Sequence, residues 1–163
     1  MQERNRLLAI SIGMAFAIII APQPLSAKPA VTIRTNYYPV QGTTVEQLRT
    51  EMNRNGPMGN WAYTNWYVSW SAPCKVTLRV VYTYPRWINR DAASASFRQY
   101  WDKFMASLQV HEKGHEQNGR NAAPAVDKAR CNNSSGAIVQ KWVNQDKIYD
   151  ATTNHGTTQG AVF

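Results

Sequence analysis

A helical stripe of large side chains dominates the second half of this 163-residue sequence. Its members are three or four residues apart, and they are Phe97, Trp101, Phe104, Leu108, His111 and His115. Residues at this spacing lie on one face of an α-helix, so the pattern predicts a long helix with a buried face. The two histidines extend that face. Gly119 and Pro124 predict a bend or a break towards the end of the helix.

The segments around this helix predict the rest of the fold. Three stretches are rich in β-branched and aromatic residues and are predicted strands, namely 31–40, 61–70 and 75–85. Helices are predicted at residues 43–56 and 137–149. In the second helix we expect Ile138 and Trp142 to face inward, and Gln145 and Tyr149 are further candidates for inward-facing positions. The crowded aromatic residues of the strands are interpreted as core packing rather than as a carbohydrate-binding platform. The predicted class is α+β, with a small antiparallel or mixed sheet packed on the long helix and a C-terminal helical hairpin.

The first 27 residues have the composition of an export signal. Arg4 and Arg6 precede an apolar run, and Ser26 and Ala27 follow two prolines as a cleavage site. A retained membrane anchor is the alternative, although the apolar run of about fifteen residues is shorter than the roughly twenty that a span needs. We therefore expect a secreted or periplasmic protein with one domain at residues 28–163 and no stable membrane span after signal cleavage.

The two cysteines are interpreted in that compartment. Cys74 and Cys131 are far apart and lack CxxC spacing, so in an oxidising environment they are predicted to form one disulfide. Zinc ligation by cysteine and a cysteine nucleophile are the alternatives.

The net charge of the chain is +8. Residues 1–27 carry two arginines and one glutamate, so the remainder has a net charge of +7. The basic residues are scattered, which suits attraction to an anionic cell envelope and does not predict specific nucleic-acid binding. The sequence indicates no particular oligomeric state.

Residues 111–115 read His-Glu-Lys-Gly-His and match the HExxH motif. Imidazoles at i and i+4 project from one helix face and can bind one zinc ion, while Glu112 lies beside the metal and can take a proton from bound water. The alternative is a polar helix whose histidines hydrogen-bond within the core. Buried polar groups without partners cost about 1–3 kcal/mol each, which favours the metal site. Gly114 inside the helix indicates close approach of another backbone.

A catalytic zinc site also needs a third protein ligand and a position for water. The extended metzincin pattern is excluded, because Asn118 and Asn121 occupy the positions where that pattern has glycine and histidine. The favoured third ligand is His155, the remaining histidine. Asp150 is the first alternative and Glu116 another. Asp150 has a second possible role as the carboxylate that orients an imidazole.

Five segments carry a family resemblance, namely HEKGHE, YDATTNHGTTQGA, WAYTNWYVSW, CKVTLRVVYTYPRW and YWDKFMASLQVHE. Together they resemble the bacterial DUF922 family, which is described as predicted secreted zinc-dependent proteases. The resemblance spans nearly all of residues 31–162. It implies a single zincin-like metallopeptidase domain at residues 28–163, with the motif roles on His111, Glu112 and His115 and the tail histidine at His155.

The expected function is hydrolysis of peptide bonds in a peptide or protein substrate by a zinc-activated water. Zinc is expected on His111, His115 and His155, with Glu112 as general base and then general acid. Tyr149 is a further candidate, as a donor to the developing oxyanion or simply as a packing residue of the last helix. Two alternatives remain: a non-catalytic secreted envelope or binding protein with a structural zinc site, and an amidase acting on peptidoglycan peptides.

Overall fold

A computed structural model describes residues 28–163, and the predicted export signal at 1–27 lies outside the described residues. The strands are β1 (Ala30–Val40), β2 (Tyr63–Ser71) and β3 (Lys75–Trp87). The helices are α1 (Val45–Asn55), α2 (Ala95–Lys128) and α3 (Ser135–Thr153). Short 3-10 turns lie at Pro57–Gly59, Arg90–Ala92 and Thr157–Gln159. The predicted α+β class is confirmed.

The three strands form one mixed sheet in the order β1-β3-β2. β2 and β3 are antiparallel, whereas β1 pairs in parallel with β3, since the chain crosses over through α1. Alternate residues of β3 are buried, namely Val76, Leu78, Val80 and Tyr82, as their period-two spacing predicted. β2 is an edge strand, and within residues 28–163 it pairs only with β3.

Helix α2 packs against β2, β3 and α3, and most of the predicted stripe is buried in these contacts. It begins after Ser94, whose hydroxyl accepts a 3.2 Å hydrogen bond from the amide of Phe97 and so caps the helix. The stripe residues Trp101, Phe104, Leu108, His111 and His115 are buried. This burial stabilises the helix mainly through its apolar contacts, since isolated helices are marginal in water.

The break considered at Gly119 and Pro124 does not occur, because α2 continues as one helix to Lys128. Tertiary packing explains the difference at Gly119. A Cβ built there would lie 2.9 Å from Cγ of Trp66, so the missing side chain lets the indole pack directly on the helix. Packing of the helix face thus outweighs the low helix propensity of glycine.

Helix α3 is longer at both ends than the predicted 137–149 and runs antiparallel to α2. Ile138 and Trp142 are half-buried as predicted, but Gln145 is exposed and its neighbour Asp146 faces α2 instead. Within residues 28–163, no helix combines the length and apolar character needed to cross a membrane.

The predicted disulfide between Cys74 and Cys131 is present, with Cα atoms 5.5 Å apart. It joins the turn between β2 and β3 to the connection between α2 and α3. The bond therefore ties the sheet to the two helices that carry the histidines and their partners.

Candidate metal centre

Three side chains from two helices converge at one point. They are His111 and His115 on α2 and Asp150 on α3, and their ligand atoms all lie within 4.8 Å of one another. Oδ1 of Asp150 is 3.2 Å from Nε2 of His111 and 3.1 Å from Nε2 of His115. The i, i+4 spacing of the histidines places both rings on the helix face that meets α3. We call these three residues the metal group.

His155 lies beside the metal group without belonging to it. Its Nδ1 is 3.7 Å from Oδ1 of Asp150, and its side chain is 69% exposed. Because α3 continues to Thr153, Asp150 stays on the helical face that meets α2, whereas His155 follows in a turn with φ 49°. The structure thus groups the alternative ligand, Asp150, with the two histidines and leaves the favoured one at the rim.

Glu116, the remaining rival ligand, lies elsewhere. Its carboxylate accepts hydrogen bonds from the hydroxyl of Tyr82 and, at 2.6 Å, from Nε of Arg120. It does not contribute to the metal group.

Both ring nitrogens of His115 face carboxylate oxygens at 3.1 Å, with Nδ1 on Asp146 and Nε2 on Asp150. Asp146 is held in place by Asn118, whose Nδ2 donates at 2.6 Å, and by Trp66, whose Nε1 donates at 2.7 Å. A neutral imidazole carries one N–H and can therefore satisfy only one of two acceptors. The second nitrogen needs either an added proton or a cation between it and the carboxylate.

His111 has the same arrangement. Its Nδ1 is 3.0 Å from Oε1 of Gln159, and its Nε2 faces Asp150. In both rings Nδ1 has a hydrogen-bond partner that fixes the tautomer, namely Gln159 for His111 and Asp146 for His115. Nε2 of each ring faces Oδ1 of Asp150. Hydrogen bonds of this kind orient histidine ligands in metal sites.

These residues fit a zinc ion. Two imidazole nitrogens and one carboxylate oxygen form a donor set known from catalytic zinc sites, in which a further position stays open for water. A divalent cation between the two Nε2 atoms and Oδ1 of Asp150 would also supply the positive charge that the facing acceptors require.

The pKa values of the two histidines shift in opposite directions. Burial lowers the pKa of His111. Burial alone would also lower the pKa of His115, but the hydrogen bond with Asp146 and the negative charge of Asp150 outweigh it and raise that pKa. A proton and a metal ion compete for the same Nε2 lone pair, so the negative surroundings of His115 also favour a cation.

Glu112 is 3% exposed, and Oε2 of its carboxylate accepts a 2.6 Å hydrogen bond from the hydroxyl of Thr64 on β2. Burial raises the pKa of Glu112, while the bond from Thr64 acts in the opposite direction. A buried carboxylate with a raised pKa is a better proton acceptor than an exposed one, which suits the predicted general base.

Tyr149 packs behind the metal group. Its hydroxyl donates to the carbonyl oxygen of His111 at 3.1 Å and accepts from Nε2 of Gln159 at 3.0 Å. Its ring stacks on the ring of His111 with centroids 5.1 Å apart. The close approach predicted at Gly114 is made by this side chain rather than by backbone, because a Cβ there would lie 2.1 Å from Cζ of Tyr149. The role of Tyr149 as an oxyanion donor stays a prediction.

We expect Gly114→Ala to lower zinc affinity by tenfold to a hundredfold, roughly the cost of losing a partner that orients a metal ligand. The new methyl group would displace Tyr149, which contacts both His111 and Gln159. Affinity would be measured by competition with a chromogenic chelator, and circular dichroism would check the fold. Gly136→Ala is the control, since a Cβ there meets open space. Equal zinc affinity in the two variants would contradict the positioning role of Tyr149.

The metal group opens into a cleft of about 570 Å³. Residues 59–64 and side chains of α3 both line this cleft. The lining residues of α2 are Leu108, His111, Glu112 and His115, and those of α3 are Val143, Asp146, Lys147 and Asp150. His155, Arg49 and residues 161–163 also line the cleft. Glu112 and the metal group therefore line the same cleft.

Three supporting residues were not predicted from the sequence, namely Asp146, Thr64 and Gln159. Asp146 had a usable signal, because it precedes Asp150 by four residues and so shares a helix face with it. Thr64 and Gln159 had no local signal, since each is 48 positions from the motif residue that it contacts.

Comparison with known protein families gives a match over most of the chain. The family model described as "Bacterial protein of unknown function (DUF922)" matches residues 35–156, a region that contains the metal group, Glu112 and His155. No curated protein matches the chain, and no solved structure does.

Proposed function

Because the chain belongs to DUF922, a family of bacterial proteins of unknown function, its activity has to be inferred from its own site, and we propose that it is a zinc-dependent peptidase. The observation that carries the proposal is His115, whose two ring nitrogens each face a carboxylate oxygen at 3.1 Å. With His111 and Asp150 it forms a two-nitrogen, one-oxygen donor set that opens into a cleft. We assign the zinc ligands to these three residues.

When bound, zinc polarises a scissile carbonyl and lowers the pKa of a water molecule. Glu112 accepts the proton of that water and delivers it to the leaving amine. Thr64 holds the carboxylate of Glu112 in one orientation, and Asp146 holds the ring of His115. His155 stays at the rim, where its exposed ring is available to a substrate.

The shape of the cleft supports a peptide as substrate. Residues 59–64 lead into β2, whose outer edge has no strand partner within residues 28–163. An extended peptide can add to such an edge through main-chain hydrogen bonds. The same edge strand carries Thr64, so a peptide aligned there would lie beside Glu112.

We further propose that the protein works outside the cytoplasm, in the periplasm or as a secreted protein. The signal-like composition of residues 1–27 and the disulfide support this location, since disulfides persist in oxidising compartments. The net positive charge supports attraction to an anionic envelope.

The test is zinc content together with cleavage of a mixed peptide library followed by mass spectrometry. We expect about one zinc ion per chain, as in other sites with three protein ligands and an open position. Chelation should abolish cleavage, and added zinc should restore it. Protein that neither contains nor takes up zinc would contradict the metal site. Protein that holds zinc but cleaves no peptide would contradict the peptidase.

One observation favours a second candidate, a non-catalytic envelope or binding protein with a structural zinc. The ring of His155 is 3.7 Å from Asp150, so a modest movement would add a fourth protein donor and close the site. The two candidates differ in peptide cleavage at full zinc occupancy. An amidase acting on peptidoglycan peptides would share the zinc chemistry and differ only in substrate.

A further inference from the structure

The charged side chains that line the cleft differ in whether they have partners within the protein. Among residues 28–163, the three side-chain carboxylates of the lining already have partners within the protein: Glu112 binds Thr64, Asp146 binds Trp66 and Asn118, and Asp150 faces the two motif histidines. Within residues 28–163, each of these carboxylates is therefore already engaged inside the protein.

The two cations of the lining differ from each other. Arg49 donates from Nε to the main-chain oxygen of Phe163 at 3.1 Å and so is used within the fold. Lys147 is exposed and, within residues 28–163, makes no hydrogen bond or ion pair. Among the Lys and Arg side chains of residues 28–163 that line the cleft, Lys147 is therefore the one without a counter-charge, which indicates what the cleft would bind.

Lys147 is also close to the metal group. It precedes Asp150 by three residues on α3, which is about 4.5 Å along the helix axis at roughly 1.5 Å per residue. An extended peptide advances about 3.3 Å per residue. A peptide between residues 59–64 and α3 would thus place a side chain against Lys147 within about one or two residues of the bond at the metal.

Building on the proposed peptidase function, we infer that Lys147 is a specificity-determining residue that selects substrates with an acidic side chain near the scissile bond. The pairing is between the Nζ ammonium of Lys147 and a carboxylate of the peptide. A basic side chain at the same place would be repelled by the ammonium group of Lys147.

The test uses a peptide that the wild-type protein cleaves, made with Glu, Gln or Lys at each position flanking the cleaved bond. We expect kcat/KM to favour Glu over Gln by about fivefold at one position, as for a partly exposed ion pair. Lys147→Gln should remove the preference, and Lys147→Glu should reverse it towards Lys. Lys141→Glu is the matched control, because it makes the same charge change on α3 outside the cleft and should keep the wild-type preference.

Binding provides a second readout that does not depend on turnover. Labelled acidic, neutral and basic versions of one short peptide are titrated into the zinc-loaded Glu112→Gln protein, with and without Lys147→Glu. Tighter binding of the acidic peptide, reversed by Lys147→Glu, supports the inference. Cleavage or binding without charge preference, or a preference that Lys147→Glu leaves unchanged, overturns the inference alone. Absence of both cleavage and binding overturns it together with the proposed function.

Discussion

Glu112→Gln is expected to keep the zinc ion and to lose peptide hydrolysis by about a hundredfold to ten-thousandfold, the usual contribution of a general base. The amide has nearly the same shape as the carboxylate and can still accept the hydrogen bond from Thr64, so the fold and the metal group should persist. It cannot accept the proton of the attacking water. The measurement is kcat/KM on one cleaved peptide, with zinc content determined on the same preparation.

The matched control is Glu116→Gln, the other glutamate of the HEKGHE segment. Glu116 is also buried, at 8% exposure, but its partners are Tyr82 and Arg120 rather than cleft residues. We expect this variant to retain most of its activity. Thermal unfolding would check that it is folded. Undiminished turnover in Glu112→Gln, or equal losses in the two variants, would remove Glu112 from the proposed catalytic role.

Asp150→Ala is expected to lower zinc affinity by more than a hundredfold, whereas His155→Ala is expected to change it by less than tenfold. The first substitution removes a member of the metal group, and its cost should exceed the roughly tenfold to hundredfold typical of partners that only orient a ligand. The second removes an exposed ring that lies outside the group. Zinc affinity of both variants would be measured by competition titration at one pH, with unfolding curves for each.

A large loss of zinc affinity in His155→Ala with a small loss in Asp150→Ala would make His155 the third ligand, as the sequence hypothesis favoured, with Asp150 beside it. Large losses in both variants would indicate four protein ligands and a closed site, which would favour the structural zinc over the peptidase. The two substitutions therefore separate the proposed function from its main competitor without a substrate.

Local spacing predicted much of the fold. The stripe from Phe97 to His115 and the alternation in β3 were confirmed, because helix and strand periodicity decide directly which side chains share a face. The disulfide was predicted because two cysteines in a chain with a signal-like start most simply pair with each other, and the structure confirms it. Of the bend or break predicted at Gly119 and Pro124, the break was wrong, since α2 is one helix to Lys128 and the packing of Trp66 on Gly119 is a contact between distant segments.

The ordering of residues along one helix was enough to place His111, Glu112 and His115 relative to one another, because i, i+4 geometry is set by the helix alone. Which side chains of other elements contact these three residues was decided by tertiary packing. The antiparallel docking of α3 and the point where that helix ends bring Asp146 and Asp150 onto the histidines and leave His155 at the rim. Such contacts depend on how two helices pack against a sheet, and one-dimensional spacing carries little information about that packing.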